Sequence, residues 1–158
     1  MTENPQIEIS YDDSTPTLSH EEEKTVQSAL NTLMNQTGNE GKRLSLFFCS
    51  EETIRNLNQT YRQKDEATDI LSFSYEEDGQ EEDPEGDIWG ELALCLDICS
   101  KQAADTGLPF MTELFRLLVH GLGHLMGFDH ELSDEAEREM LEMEKQLLSS
   151  IHLDDLYD

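Results

Sequence analysis

Apolar residues recur along this chain with a period near two in some stretches and near 3.6 in others, and the changes of period divide it into short strands and helices. Gln6 to Tyr11 alternates and reads as a first strand. Ser19 followed three residues later by Glu22 is a capping-box pattern, after which Val26, Ala29, Leu30, Leu33 and Met34 fall on one helical face that runs out near Gly38. RLSLFFC, from Arg43 to Cys49, reads as a second strand, and Ser50 caps a short helix through Ile54, Leu57 and Tyr61. ATDILSFSY, from Ala67 to Tyr75, is a third strand, and GELALCLDI, from Gly90 to Ile98, a fourth. A short helix near Ile98 to Asp105 comes next. The run PFMTELFRLLVHGLGHLMG is apolar nearly all round, which predicts a buried helix. SDEAEREMLEMEKQLLSSI completes the pattern as an amphipathic helix, with Asp134 and Glu137 as its expected cap. With neither a repeat nor a second domain in view, these elements predict a single α+β domain over residues 1–158 with a small mixed sheet.

Composition changes this picture in a few respects. At 158 residues the chain can bury roughly 68–70% of its unfolded surface, so a core needs no staples. Cys49, Cys95 and Cys99 show no disulfide-framework spacing and no CxxC pair, which fits a reduced compartment. The opening MTENPQIEISYDD has neither a basic leader nor an apolar run, and no stretch nears the roughly 18 apolar residues of a membrane span. A cytoplasmic protein with no membrane association is the expectation. Net charge is −26, which opposes unspecific attraction to nucleic acid and to anionic membranes, so a polyanionic substrate needs a local exception. Part of that charge lies in EEDGQEEDPEGD, residues 76–87, where eight of twelve residues are carboxylates. It reads as a solvated loop and does not match the calcium-loop spacing.

Chemistry concentrates in HGLGHLMGFDH, residues 120–130, which holds three of the five histidines. On a helix His120 and His124 lie about 6 Å apart along the axis on nearly one face. A glycine at 127 can take the left-handed conformation that ends a helix, letting the chain turn back and deliver His130 as a third ligand. Three neutral imidazoles around Zn²⁺ leave the fourth tetrahedral position to water, whose pKa the metal can lower to about 7, the pattern of a catalytic site. Gly121 and Gly123 each cost roughly 0.5–1 kcal/mol against alanine inside a helix. They imply close approach of backbone or substrate, unless the packing there is loose. In an HExxH zinc protease the residue after the first histidine is the general base; here it is Gly121, and Glu113 lies seven residues before His120. A protease reading therefore lacks its base.

Three motifs carry a resemblance. His120, Gly121, His124, Leu125, Gly127, Asp129 and His130 follow the signature HGxLHLxGYDH, with Phe128 for tyrosine and Gly123 for leucine. LNQTYRQKDEATDILSFSY resembles LNxxYRxxDxxTDVLSFP at Leu57, Asn58, Tyr61, Arg62, Asp65, Thr68, Asp69, Leu71, Ser72 and Phe73. WGELAL resembles LGDIxI, with Glu91 for aspartate. Over roughly residues 40 to 150 the chain thus resembles the YbeY family of bacterial rRNA maturation endoribonucleases. The resemblance implies an α+β fold in which a four-stranded mixed sheet packs with about five helices, among them a zincin-like metal helix. It implies one Zn²⁺ per chain on His120, His124 and His130, with Arg62 near the metal. It implies cleavage of single-stranded RNA in ribosomal RNA maturation and ribosome quality control. Ribosomal proteins with basic faces would also suit so acidic a surface.

Arg62 has a physical reason to matter. Cleaving a phosphodiester builds negative charge on the phosphate oxygens, and a planar guanidinium can meet two of them with paired hydrogen bonds. Arg55, Arg62 and Lys64 put three of the ten basic residues into ten positions, the best candidate for the local exception. Metal-assisted RNA hydrolysis is the expected reaction. Asp69, Glu91 and Asp129 are candidates for moving protons or orienting ligands, and attack by the substrate's own 2′-hydroxyl stays open. Two other classes remain: a zinc metalloprotease-like hydrolase, and a ribosome-associated zinc-binding protein without catalysis.

Overall fold

Helix α1 (His20–Gln36) shows how closely local patterning governs this fold. Ser19 Oγ accepts the Glu22 amide at 3.1 Å while the Glu22 carboxylate accepts the Ser19 amide at 2.8 Å, so the capping box closes. All five residues of its apolar stripe are buried. The computed structural model describes residues 7–74, 88–127 and 133–149; the acidic stretch 76–87 lies outside them. The remaining elements are β1 (Ile7–Tyr11), β2 (Arg43–Cys49), α2 (Glu51–Arg62), β3 (Ile70–Ser74), β4 (Ile88–Cys95), α3 (Leu96–Thr106), α4 (Phe110–Leu125) and α5 (Asp134–Ser149).

The strands form one mixed sheet in the order β1-β2-β4-β3. β1 and β4 run parallel to β2, and β3 runs antiparallel to β4 at the edge. Side chains alternate across a strand, so the sheet has two apolar faces. Leu44, Leu46, Leu92 and Leu94 join the main core with α1 and α4, whereas Leu71, Phe73, Ala93 and Cys95 form a second cluster with Ile54 of α2. α4 is buried at eleven of its sixteen positions, as its all-round apolarity predicts. None of the described helices is long and apolar enough to cross a membrane.

Several boundaries differ from the expectation, among them the start of β4 at Ile88 rather than Gly90. β3 begins at Ile70 rather than Ala67, because Asp69 turns its carboxylate back onto the Ile70 amide at 2.7 Å and holds the preceding residues in a turn. β4 stops at Cys95 and α3 starts at the next residue, so Leu96 to Ile98 are helical. The cap of α5 is Ser133, not Asp134: Ser133 Oγ accepts the Ala136 amide at 3.0 Å and its carbonyl accepts Glu137.

Candidate functional site

His120 and His124 sit on a helix pressed against the sheet, and glycines set how closely. A β-carbon at Gly121 would lie 2.8 Å from Leu92 Cδ2 and 3.0 Å from Ile70 Cδ1, and one at Gly90 would lie 2.6 Å from Leu125 Cδ2 and 2.9 Å from the Phe73 carbonyl oxygen. Of the alternatives open for Gly121, the structure has close approach and not loose packing. Ser72 Oγ on β3 also donates to the Gly121 carbonyl at 3.4 Å, tying the edge strand to α4 beside His120.

His120 and His124 turn their rings toward each other, perpendicular to within a few degrees at 86°, with Nε2 atoms 3.2 Å apart. Two nitrogens bound to one tetrahedral Zn²⁺ at 2.0–2.1 Å are about 3.3 Å from each other, so this pair is spaced as two ligands of one ion would be. On its far side His120 Nδ1 lies 2.6 Å from Glu144 Oε2 of α5. A carboxylate there can accept a hydrogen bond from Nδ1–H, the tautomer in which the Nε2 lone pair is turned toward His124. Gly127 has φ +97° and its amide bonds the His124 carbonyl at 3.0 Å, so the helix stops where expected. His130 and Asp129, beyond that turn, lie outside the described residues. Among the described residues no three His, Cys, Asp or Glu side chains are gathered to hold a metal; the pair is what they contain.

Arg62 closes α2, and Gln63 in the left-handed region at φ +58° redirects the chain after it. Its Nη2 donates to the Ser72 carbonyl at 2.7 Å and Nη1 to the Tyr61 carbonyl at 3.2 Å, while the guanidinium carbon lies 5.0 Å from the Phe73 ring centroid. Tyr61 meets the same ring edge-on at 5.3 Å. Arg62 is therefore oriented at the sheet edge, joined through Ser72 to Gly121, the neighbour of His120. Arg55 is not equivalent to it. Its guanidinium grips Asp65 through bonds of 2.8 and 3.2 Å, which hold that carboxyl below the usual range and match the arginine's charge.

The other carboxylates separate by environment. Asp69 is engaged in the turn before β3 and accepts Gln102 Nε2 at 3.3 Å, an ordering role. Glu91 sits opposite Phe73 in the β3/β4 pairing and, by alternation, on the α2 side of the sheet. Burial pushes its carboxyl pKa up. Glu113 is 5% exposed and bonds Arg116 at 2.7 Å at the far end of α4. Glu144 is the site residue that motif reading missed. Its signal is a carboxylate set into the apolar stripe Met140, Met143, Leu147 of α5.

The family model described as Endoribonuclease YbeY matches residues 8–152. The Endoribonuclease YbeY of Paraburkholderia phytofirmans is 40% identical over 114 residues, 72% of this chain and 71% of that protein. That of Geobacillus thermodenitrificans is 35% identical over 153 residues, 93% of this chain and 97% of that protein. A solution structure of a Thermotoga maritima protein is similar with a TM-score of 0.62 at 26% identity, covering 92% of this chain and 88% of that one.

Proposed function

Since the chain belongs to the YbeY endoribonuclease family, we propose that it is a zinc-dependent endoribonuclease that cuts single-stranded RNA in ribosomal RNA maturation and ribosome quality control. It acts in the cytoplasm as one domain. The observation that carries the zinc reading is the pair of Nε2 atoms 3.2 Å apart on α4, backed by Glu144 at His120 Nδ1. His120, His124 and His130 would hold one Zn²⁺, which supplies Lewis acidity toward an oxygen of the substrate or of water.

This chain's own residues then have distinct tasks. The phosphate of a bound strand meets Arg62, whose guanidinium is aimed before substrate arrives by the Ser72 and Tyr61 carbonyls and by the Phe73 ring. A pre-aimed cation stabilises charge as it develops without reorganising. Glu91, whose carboxyl pKa is raised by burial, is the candidate among the described carboxylates for a proton-holding role. A protease reading is weakened further by Glu113, which is committed to Arg116.

The test is metal analysis of the purified protein together with digestion of single-stranded RNA. His124→Ala should lose zinc and cutting together, while Arg62→Ala should keep zinc and lose cutting. Full activity in a zinc-free preparation, or in Arg62→Ala, defeats the proposal. End-group analysis separates direct hydrolysis from 2′-hydroxyl attack, which leaves a cyclic phosphate.

A further inference from the structure

Glu144 stands out as a carboxylate only 19% exposed, in the stripe that α5 turns toward α4. A carboxylate withdrawn from water needs a partner, and its partner is one specific atom, His120 Nδ1 at 2.6 Å. The close crossing of the two helices makes that contact possible. A β-carbon at Gly123 would lie 2.3 Å from Met143 Cε and 3.2 Å from Met140 Cε, so the missing side chain at 123 is the space that the α5 methionines occupy. Met143 precedes Glu144 directly, and seating the methionine on Gly123 delivers the next residue to the back of the imidazole.

We infer that Glu144 is a positioning residue of the metal centre, an inference that rests on the zinc reading above. Its carboxylate accepts a hydrogen bond from His120 Nδ1–H, which fixes the tautomer whose Nε2 lone pair faces His124 and holds the ring plane. The arrangement also places a negative charge behind a ligand, which strengthens the ligand as a donor. A plain helix-to-helix tie would use the same atoms but would have no effect on zinc beyond its effect on folding.

The experiment measures Zn²⁺ affinity by competition with a chromophoric chelator, using metal-stripped full-length wild type, Glu144→Gln, Glu144→Ala and Glu142→Gln. The last removes the same charge from an exposed site on the same helix. Zinc binding roughly 10–100-fold weaker in both Glu144 variants, with Glu142→Gln at the wild-type value, is the expected result. Long-range ¹H–¹⁵N spectra of the metal-free chains give a second readout: His120 protonated at Nδ1 in wild type, and a population protonated at Nε2 in Glu144→Ala. Should Glu144→Ala fail to fold, Glu144→Gln, which keeps the shape, carries the measurement. Glu144 variants that bind zinc as tightly as Glu142→Gln overturn the positioning role while leaving the zinc enzyme intact. A wild type that takes up no zinc sinks the underlying reading as well.

Discussion

Gly123 of α4 and Met143 of α5 are packed so closely that a β-carbon on the glycine would lie 2.3 Å from the methionine methyl. The contact is with the end of a flexible side chain, whereas Gly121 faces Leu92, which is fully buried, and Ile70. Gly123→Ala should therefore come out within about 1 kcal/mol of wild type, since displacement of Met143 is offset by better helix propensity. Gly121→Ala should cost about 1–3 kcal/mol through overpacking against the sheet. Urea denaturation of both measures the difference. A Gly121→Ala protein no less stable than Gly123→Ala would contradict this account of how the helix is seated.

Arg62 is held by two carbonyls and a ring, a geometry that suits a planar fork and not a point charge. Arg62→Lys should lower kcat by roughly 10²–10³, the usual cost of removing a donor aimed at developing charge, with Tm close to wild type. Single-turnover cleavage at saturating RNA reads this directly. Lysine restoring the rate would mean that only the charge matters.

The three cysteines are free and buried. Burial pushes the Cys49 and Cys99 thiols up to about 12. A thiol in the unfolded chain ionises near 8.5, so between that pH and about 12 the fold keeps protons that the unfolded chain releases. The contribution of these two thiols to stability is therefore fully present below about pH 8 and is lost as pH rises through that window. A disulfide-exchange reagent at pH 8 should label none of the three in the native state and all of them in denaturant. Prompt labelling of native Cys99 would refute the burial.

Ser19→Ala removes the side-chain acceptor that the Glu22 amide uses and should cost about 1 kcal/mol. Ser50→Ala loses the bond from the Thr53 amide at the start of α2 and should cost a similar amount. Thermal melts of the two variants provide the check, and a wild-type Tm in either would mean that its cap contributes nothing.

Those caps were readable in advance because their partners lie three residues away. The stripes of α1 and α4, the strand RLSLFFC and the stop at Gly127 were readable for the same reason: each is a local choice with a local signature. The junction between β4 and α3 was not, because the one polar residue of ALCLDIC, Asp97, lies beyond it, and only the pairing of Cys95 to Cys49 and the Asp69 carbonyl marks where the strand ends. Glu144 was hidden more deeply. It lies 24 residues from His120, and what joins them is the crossing of two helices, which depends on a missing side chain at 123. A glycine inside a helix announces closeness without naming the neighbour.

The bond from Arg62 to the Ser72 carbonyl has a consequence for the β3 margin of the sheet. Among the described strands β3 is one of the two terminal ones, and a terminal strand's free backbone groups are a template on which another chain can add itself. Arg62 occupies one of the acceptors such an intruder would need, so the cation proposed to serve cleavage also blunts self-association. Arg62→Ala frees that one acceptor, and a preparation of it stored concentrated should scatter more light than the parent.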